Sequence, residues 1–299
     1  MFKKIMFATS ATEACDHAAR VAFNMAKRYG ASIDVFHVLG VPTRGFSQVV
    51  LDVKTKEKVV LDDEYQAWVT EEVKTYYAHQ LKDVPDARIF VAVGVPHREI
   101  LRHARNEEPD LIVMGGSTGQ DEESVYKQSM TGSTLQRVTK AAPAPVLVVN
   151  RPAASFWGDI SNIVYGTDFS KASDVAFKFA LKLAREVEGE LHLFHALDIT
   201  ALHMGRLLTQ DEIESKIRDA RQLIRGRYLP QMEGFKKFAI EVWEGLPYIE
   251  IVKYAREHQA DLIVLAHHSQ KKDEKDARLG SNVEQVLLRA NCPVISINR

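Results

Sequence analysis

One stretch of this chain occurs twice, and the repeat narrows the fold more than any other feature. Asp110 to Arg151 reads as strand, glycine-rich loop, helix, strand. Asp110-Leu-Ile-Val-Met114 is a short apolar run of the buried-strand type. Gly115, Gly116 and Gly119 follow it, and the loop ends at Gly132-Ser133-Thr134. A helix then carries Leu135, Val138 and Ala142 on one face. Pro143 and Pro145 stop that helix before the strand Val146-Leu-Val-Val149. A strand that feeds glycines into a helix N-terminus suits phosphate, because bare backbone N–H groups and the helix dipole both face the anion.

The second copy lies about 150 residues on. Asp261-Leu-Ile-Val-Leu265 repeats Asp110–Met114, Gly280-Ser281 repeats Gly132-Ser133, and Pro293 to Arg299 repeats Pro145 to Arg151. Lys4-Ile-Met-Phe-Ala-Thr9 likewise answers Asn162-Ile-Val-Tyr-Gly-Thr167. Phe36-His37 answers Phe194-His195, and Gly94-Val-Pro96 answers Gly245-Leu-Pro247. A period this long is no solenoid; it marks two copies of one domain, and 299 residues suffice for two cores. We assign 1–151 to the first domain, 152–159 to a linker expected to be packed through Phe156 and Trp157, and 160–299 to the second.

The formal net charge of −1 gives no basis for nucleic-acid or anionic-membrane binding by bulk charge. No apolar run approaches the roughly 20 residues of a spanning helix, and the N-terminus is strand-like rather than a signal peptide. Two cysteines far apart, Cys15 and Cys292, make no disulfide framework and are read as buried thiols. A cytoplasmic location is the expectation.

In the first half, strands are expected at 5–9, 32–39, 87–93, 110–114 and 146–149, and helices at 14–29, 61–81, 97–106 and after Thr134. Residues 40–58, with Pro42 and Gly45, are expected to be loop. In the second half, strands are expected at 162–167, 190–197, 238–243, 261–266 and 294–298, and helices at 172–187, 211–228 and 248–258. Strict alternation of strand and helix means an α/β fold: two tandem doubly wound domains, each a five-stranded, mainly parallel sheet with helices on both faces. Ligands of such sheets sit beyond the C-terminal ends of the strands.

The first turn, the Gly-x-Pro turn, Asp-Leu-Ile-Val, the glycine loop and the terminal Pro-Val strand, all present twice, resemble a tandem universal stress protein over essentially the whole chain. The resemblance implies a Rossmann-like fold whose fifth strands pair domain against domain, here within one chain, and a capacity to form a homodimer. It also implies that some members bind ATP while others, lacking the glycines, do not. The family's nucleotide pattern is Gly-x2-Gly-x9-Gly-Ser/Thr with an aspartate just after the first strand. The first half has Gly116-Ser-Thr-Gly119, or Gly115 as first glycine by strand register, then twelve residues before Gly132-Ser133; Ser10 stands in the aspartate position. The second half keeps Asp168 in Gly166-Thr-Asp-Phe-Ser170, but Ala266 and Ser269 replace the two glycines before Gly280-Ser281.

These losses differ physically. An aspartate accepts from both hydroxyls of a ribose and a serine from one. Ala266 and Ser269 place a Cβ where backbone should meet phosphate, which is the more serious change. Charge points the other way: Asp121, Glu122 and Glu123 lie in the first loop, and Lys271, Lys272, Lys275 and Arg278 in the second. Backbone access ranks first, so an adenine nucleotide, ATP included, is expected at Thr9, Ser10, Val38, Met114, Gly115, Gly116, Gly119, Gly132, Ser133 and Thr134. Thr167, Asp168, Leu265, Ala266, Ser269, Gly280, Ser281 and Asn282 form the lower-ranked site.

His37 and His195, at equivalent strand ends, are read as structural histidines. His267 and His268, with Asp168 and His195, have the residue types of a zinc site, but adjacent residues on a strand point to opposite faces, so no metal is assigned. His97, His103 and His258 are placed on helix surfaces. Trp68, Tyr76 and Tyr77 are read as an interface or a roof over the loop. Two further functions stay open: a ligand-free interaction scaffold, and a slow ATPase of the sort the resemblance allows. The second ranks last, because no motif places a general base or arginine finger and no residue is assigned a catalytic role.

Overall fold

The computed structural model describes residues 1–40, 49–51, 58–60, 62–116, 134–150, 160–199, 208–267 and 281–298. The expected linker, 152–159, lies outside them. By their internal contacts, the residues form two compact units, Phe2–Leu147 and Val148–Arg299 with Met1.

The first half alternates as expected. Its parallel strands are β1 (Lys4–Thr9), β2 (Ser32–Gly40), β5 (Arg88–Gly94), β6 (Leu111–Gly115) and β7 (Val146–Val149), and they lie side by side in the order β7-β6-β1-β2-β5. Register is tight: Thr9 stands beside His37, and Ala8 beside Met114. The helices are α1 (Asp16–Tyr29), α2 (Asp63–Tyr76), α3 (Ala78–Asp83), α4 (Pro96–Glu107) and α5 (Thr134–Ala141). The small-residue face of α1, Ala18, Ala22, Met25 and Ala26, is buried, and left-handed Gly30 ends the helix.

Two expectations for this half are corrected. The segment 40–58 is not all loop: Val49–Leu51 (β3) and Lys58–Val60 (β4) pair as a small antiparallel ribbon. The long helix expected over 61–81 is two helices, α2 and α3, which meet at Tyr77. Val69, Val73 and Tyr77, spaced four apart, form its buried stripe, whereas Trp68 and Tyr76 are 50% and 40% exposed. Tyr77 is buried, so it belongs to the core rather than to an interface.

The second half repeats the plan with β8 (Asn162–Gly166), β9 (Glu190–Leu197), β10 (Phe238–Glu244), β11 (Leu262–Ala266) and β12 (Val294–Ile297), in the order β10-β9-β8-β11-β12. Its helices are α6 (Lys171–Glu186), α7 (Gln210–Tyr228), α8 (Pro247–Glu257) and α9 (Ser281–Arg289). Their starts are written in sequence. Ser170 caps α6 by accepting from Ser173 N–H, Thr209 and Glu212 form a reciprocal capping box on α7, and Pro247 opens α8. The central strands β8 and β11 are buried nearly throughout, which is why they read as continuous apolar runs. Among the described residues no helix is long and apolar enough to cross a membrane.

Candidate functional site

The site begins at the turn that follows the first strand of each half. At the end of β8, Thr167 is buried and its Oγ1 accepts from the backbone N–H of Phe169 at 3.0 Å. Phe169 takes a left-handed conformation, φ +62°. A side chain there is strained by roughly 1 kcal/mol, and the threonine hydroxyl offsets part of that cost. Between the two, Asp168 points outward. Its Oδ1 accepts from Ser170 N–H at 3.0 Å and from the Ser173 hydroxyl. The carboxylate is thereby fixed to the start of α6.

The first half builds the same turn from different residues. Thr9 Oγ1 accepts from Ala11 N–H at 2.9 Å, and Ala11 has φ +52°. Ser10 occupies the position of Asp168; its Oγ lies 2.8 Å from Thr12 Oγ1 and 3.2 Å from Cys15 Sγ. The serine is thus committed to its own turn.

Beyond the C-terminal ends of β8, β9 and β11 lies a cleft of about 140 Å³. Asp168, Thr167 and His195 line one side of it, Leu265 and Ala266 its floor, and Pro247, Tyr248 and Ile251 at the start of α8 face Asn282, Val283 and Val286 at the start of α9. A cavity of about 150 Å³ admits one six-membered ring, so the cleft has room for one planar ring and is open at its mouth. Five residues of the lower-ranked sequence site, Thr167, Asp168, Leu265, Ala266 and Asn282, come together here. Ser281 is the first residue of α9. Ser269 and Gly280 lie outside the described residues. Sequence reading missed His195, Tyr248 and Ile251 as lining residues; the signal was available in the Gly245-Leu-Pro247 turn, which launches α8 at the strand ends.

Of the higher-ranked set, Thr9 ends β1, Val38 is half-buried on β2, Met114 is buried and Gly115 ends β6. Gly116 follows that strand and Thr134 begins α5. Gly119, Gly132, Ser133 and the acidic residues 121–123 lie outside the described residues, as do Lys271, Lys272, Lys275 and Arg278. The register resolves which glycine matches Ala266: Gly115 ends β6 as Ala266 ends β11. A Cβ at Gly115 would lie 3.2 Å from the Ala14 carbonyl, so this position is crowded by the first turn of its own half.

His37 and His195 occupy one place in the two halves. His37 Nδ1 lies 3.0 Å from the Thr9 carbonyl, and His195 Nδ1 2.8 Å from the Thr167 carbonyl. Burial holds both rings below the ordinary histidine pKa of 6.5, against the raising effect of those carbonyls. His267 is fully buried, and among the described residues no group of three or more histidine, cysteine or acidic side chains is arranged to hold a metal ion. His103 corrects its expected place on the surface: its ring stacks on Phe36 at 4.3 Å, and Nε2 lies 3.5 Å from Asp34.

Comparison with known proteins agrees with this geometry. The profile of the Universal stress protein family matches residues 1–150 and again 160–298. Universal stress protein MJ0577 of Methanocaldococcus jannaschii is 29% identical over 160 residues, spanning 50% of this chain and 96% of its own. Universal stress protein YxiE of Bacillus subtilis is 27% identical over 159 residues, spanning 50% and 99%. A universal stress protein structure from Archaeoglobus fulgidus covers 99% of this chain and 98% of its own, with a TM-score of 0.69 at 19% identity, a likeness of fold. The chain belongs to the universal stress protein family and carries two of its domains in tandem.

Proposed function

We propose that this protein is a stress-response regulator that binds an adenine nucleotide, and that the cleft of its second half is a binding site. The observation that supports this reading is the meeting of a fixed carboxylate, Asp168, with an apolar slot at the C-terminal strand ends. The parts suit the parts of a nucleotide. Tyr248, Ile251, Leu265 and Val286 offer apolar surface to a base. Asp168 accepts from ribose hydroxyls. The start of α9, at Ser281 and Asn282, favours an anion. Ala266 replaces the backbone-only approach of a glycine, so this half is expected to prefer ligands with few phosphates.

Native mass spectrometry of the full chain with ATP, ADP and AMP tests the reading. One or two nucleotides per chain, with one lost in Asp168→Ala, would support it. Protein that stays bare at millimolar concentration of all three would overturn it. A second reading, an interaction module without ligand, is favoured by exposed Trp68 and Tyr76 on α2, and bare protein would shift the weight there.

A further inference from the structure

The geometry of His195 carries the reading one step further. A carbonyl oxygen only accepts, so the His195 nitrogen that lies 2.8 Å from the Thr167 carbonyl must be the donor. The neutral ring therefore bears its proton on Nδ1 and presents Nε2 as a bare acceptor. Among the described residues Nε2 has no hydrogen-bond partner, and the ring lines the cleft. Its orientation is held from two sides, by the Thr167 bond and by Phe169, whose ring centre is 4.6 Å away. Phe169 in turn is locked in its left-handed turn beside Asp168.

The side of the cleft next to the β8 turn thus offers two acceptors, a carboxylate and a neutral imidazole nitrogen, both rigidly mounted. Two acceptors lining one cleft suit a ligand with two donors. Resting on the nucleotide reading above, we propose that His195 is a specificity-determining residue that accepts from one hydroxyl of a vicinal diol while Asp168 accepts from the other, so that the second half selects ribose over deoxyribose. Burial keeps the ring neutral at pH 7 and above, where it can accept. Among the described residues, the polar groups that line the cleft with it include Asp168 from the β8 turn, Tyr248 from α8 and Asn282 from α9, and none of these three is a cation. The first half lacks the pair. His37 repeats the imidazole geometry, but Ser10 stands in place of the carboxylate and is bound to Thr12 and Cys15.

The test is a titration of the full chain at pH 7.5 with adenosine, 2′-deoxyadenosine and 3′-deoxyadenosine. Hydrogen-exchange protection in peptides from β8 and β9 reports the second half by itself. Each deoxy analogue is expected to bind about 10-fold more weakly than adenosine. His195→Phe keeps the ring packing on Phe169 but removes the acceptor; its discrimination against one of the two analogues should fall to about 1, with the other unchanged. His195→Gln, which can donate to Thr167 and still accept, should restore part of that ratio. A structural histidine would weaken all three ligands together and leave the ratios alone, and that outcome overturns the inference while the nucleotide reading stands. Equal binding of all three ligands by the unmodified chain overturns it as well. No protection by any of them overturns it too, and the nucleotide reading then stands or falls on ATP, ADP and AMP.

Discussion

Thr167 Oγ1 and Tyr228 Oη lie 2.7 Å apart in the interior of the second half, and Thr9 Oγ1 and Tyr77 Oη repeat the bond at 2.6 Å in the first. The end of the long helix is thereby tied to the turn that carries the site. Each threonine also accepts the N–H of the left-handed residue two places on, so one hydroxyl serves both the turn and the helix. Tyr228 additionally lies 3.1 Å from the hydroxyl of Tyr165. Removing its oxygen leaves two buried hydroxyls short of a partner. Tyr228→Phe should cost about 2 kcal/mol and Tyr77→Phe, with one bond lost, about 1 kcal/mol. Urea unfolding monitored by circular dichroism measures both; equal and negligible losses would show that the tyrosines act by ring packing alone.

Asp34 is 1% exposed, yet it sits on a strand whose sequence alternates. It survives there because Arg88 on the neighbouring strand grips both of its oxygens at 2.9 Å, with Lys4 3.8 Å away. In the second half the matching position is His192, and His103 is matched by Tyr254, 2.7 Å from His192 Nδ1. The repeat therefore keeps a buried polar pair at this place and changes its charge. Arg88→Met should cost about 2 kcal/mol, less than for a fully buried pair because the guanidinium is half exposed. Adding Asp34→Leu to that variant should recover part of the loss, since an apolar pair leaves no charge stranded. Denaturant midpoints of the two singles and the double decide it; strictly additive losses would contradict the pairing.

Much of this was legible because the chain is written twice. Every expected strand of one half has its copy in the other, and the bounds of those strands fell within a residue, whereas the ribbon β3–β4, which has no such copy among the expected strands, was read as loop. Residue-level burial was less legible. The break at Tyr77 is invisible to periodicity, because Tyr65, Trp68 and Tyr76 make an equally regular stripe; only the hydroxyl of Thr9 tells which stripe turns inward. His103 reads as a surface helix residue until Asp34, far off in sequence, is known to lie beneath it. The cleft was half legible. Asp168 and Ala266 stand in motif positions, but Tyr248 and Ile251 reach the site only through the crossover geometry of α8.

Acid should weaken the fold in two separate windows. His37, His192 and His195 are held below 6.5 by burial, so the folded chain resists the protons that the unfolded chain accepts. Their contribution is complete above pH 6.5 and declines as pH falls below it. Glu107 behaves otherwise. Hydrogen bonds from Lys4 and Arg88 lower it to about 2 from its ordinary 4.5, so its contribution persists down to pH 4.5 and is lost only below that. Chemical-denaturation midpoints between pH 8 and pH 3 should show a plateau, a first decline beginning near 6.5 and a second near 4.5. His192→Phe should make the first shallower, since His37 and His195 remain, and spare the second; a first decline of unchanged depth would remove His192 from the account.

Gly166 separates the stability of the second half from the use of its cleft. It is the last residue of β8, and a Cβ there would come within 2.6 Å of both Ile251 Cδ1 and Leu265 Cδ2. Those atoms are the tips of flexible side chains that line the cleft, so they can yield, and the direction in which they yield is into the open space. Gly166→Ala should therefore cost only about 1 kcal/mol of stability. Binding is a different matter, because the displaced methyls occupy the slot assigned to the base. Affinity for adenine nucleotides at the second half should fall at least about 10-fold, a penalty of about 1.4 kcal/mol. Isothermal titration beside a thermal melt makes the comparison. A variant that melts a few degrees lower and binds as well as the parent would place the ligand away from this wall of the cleft.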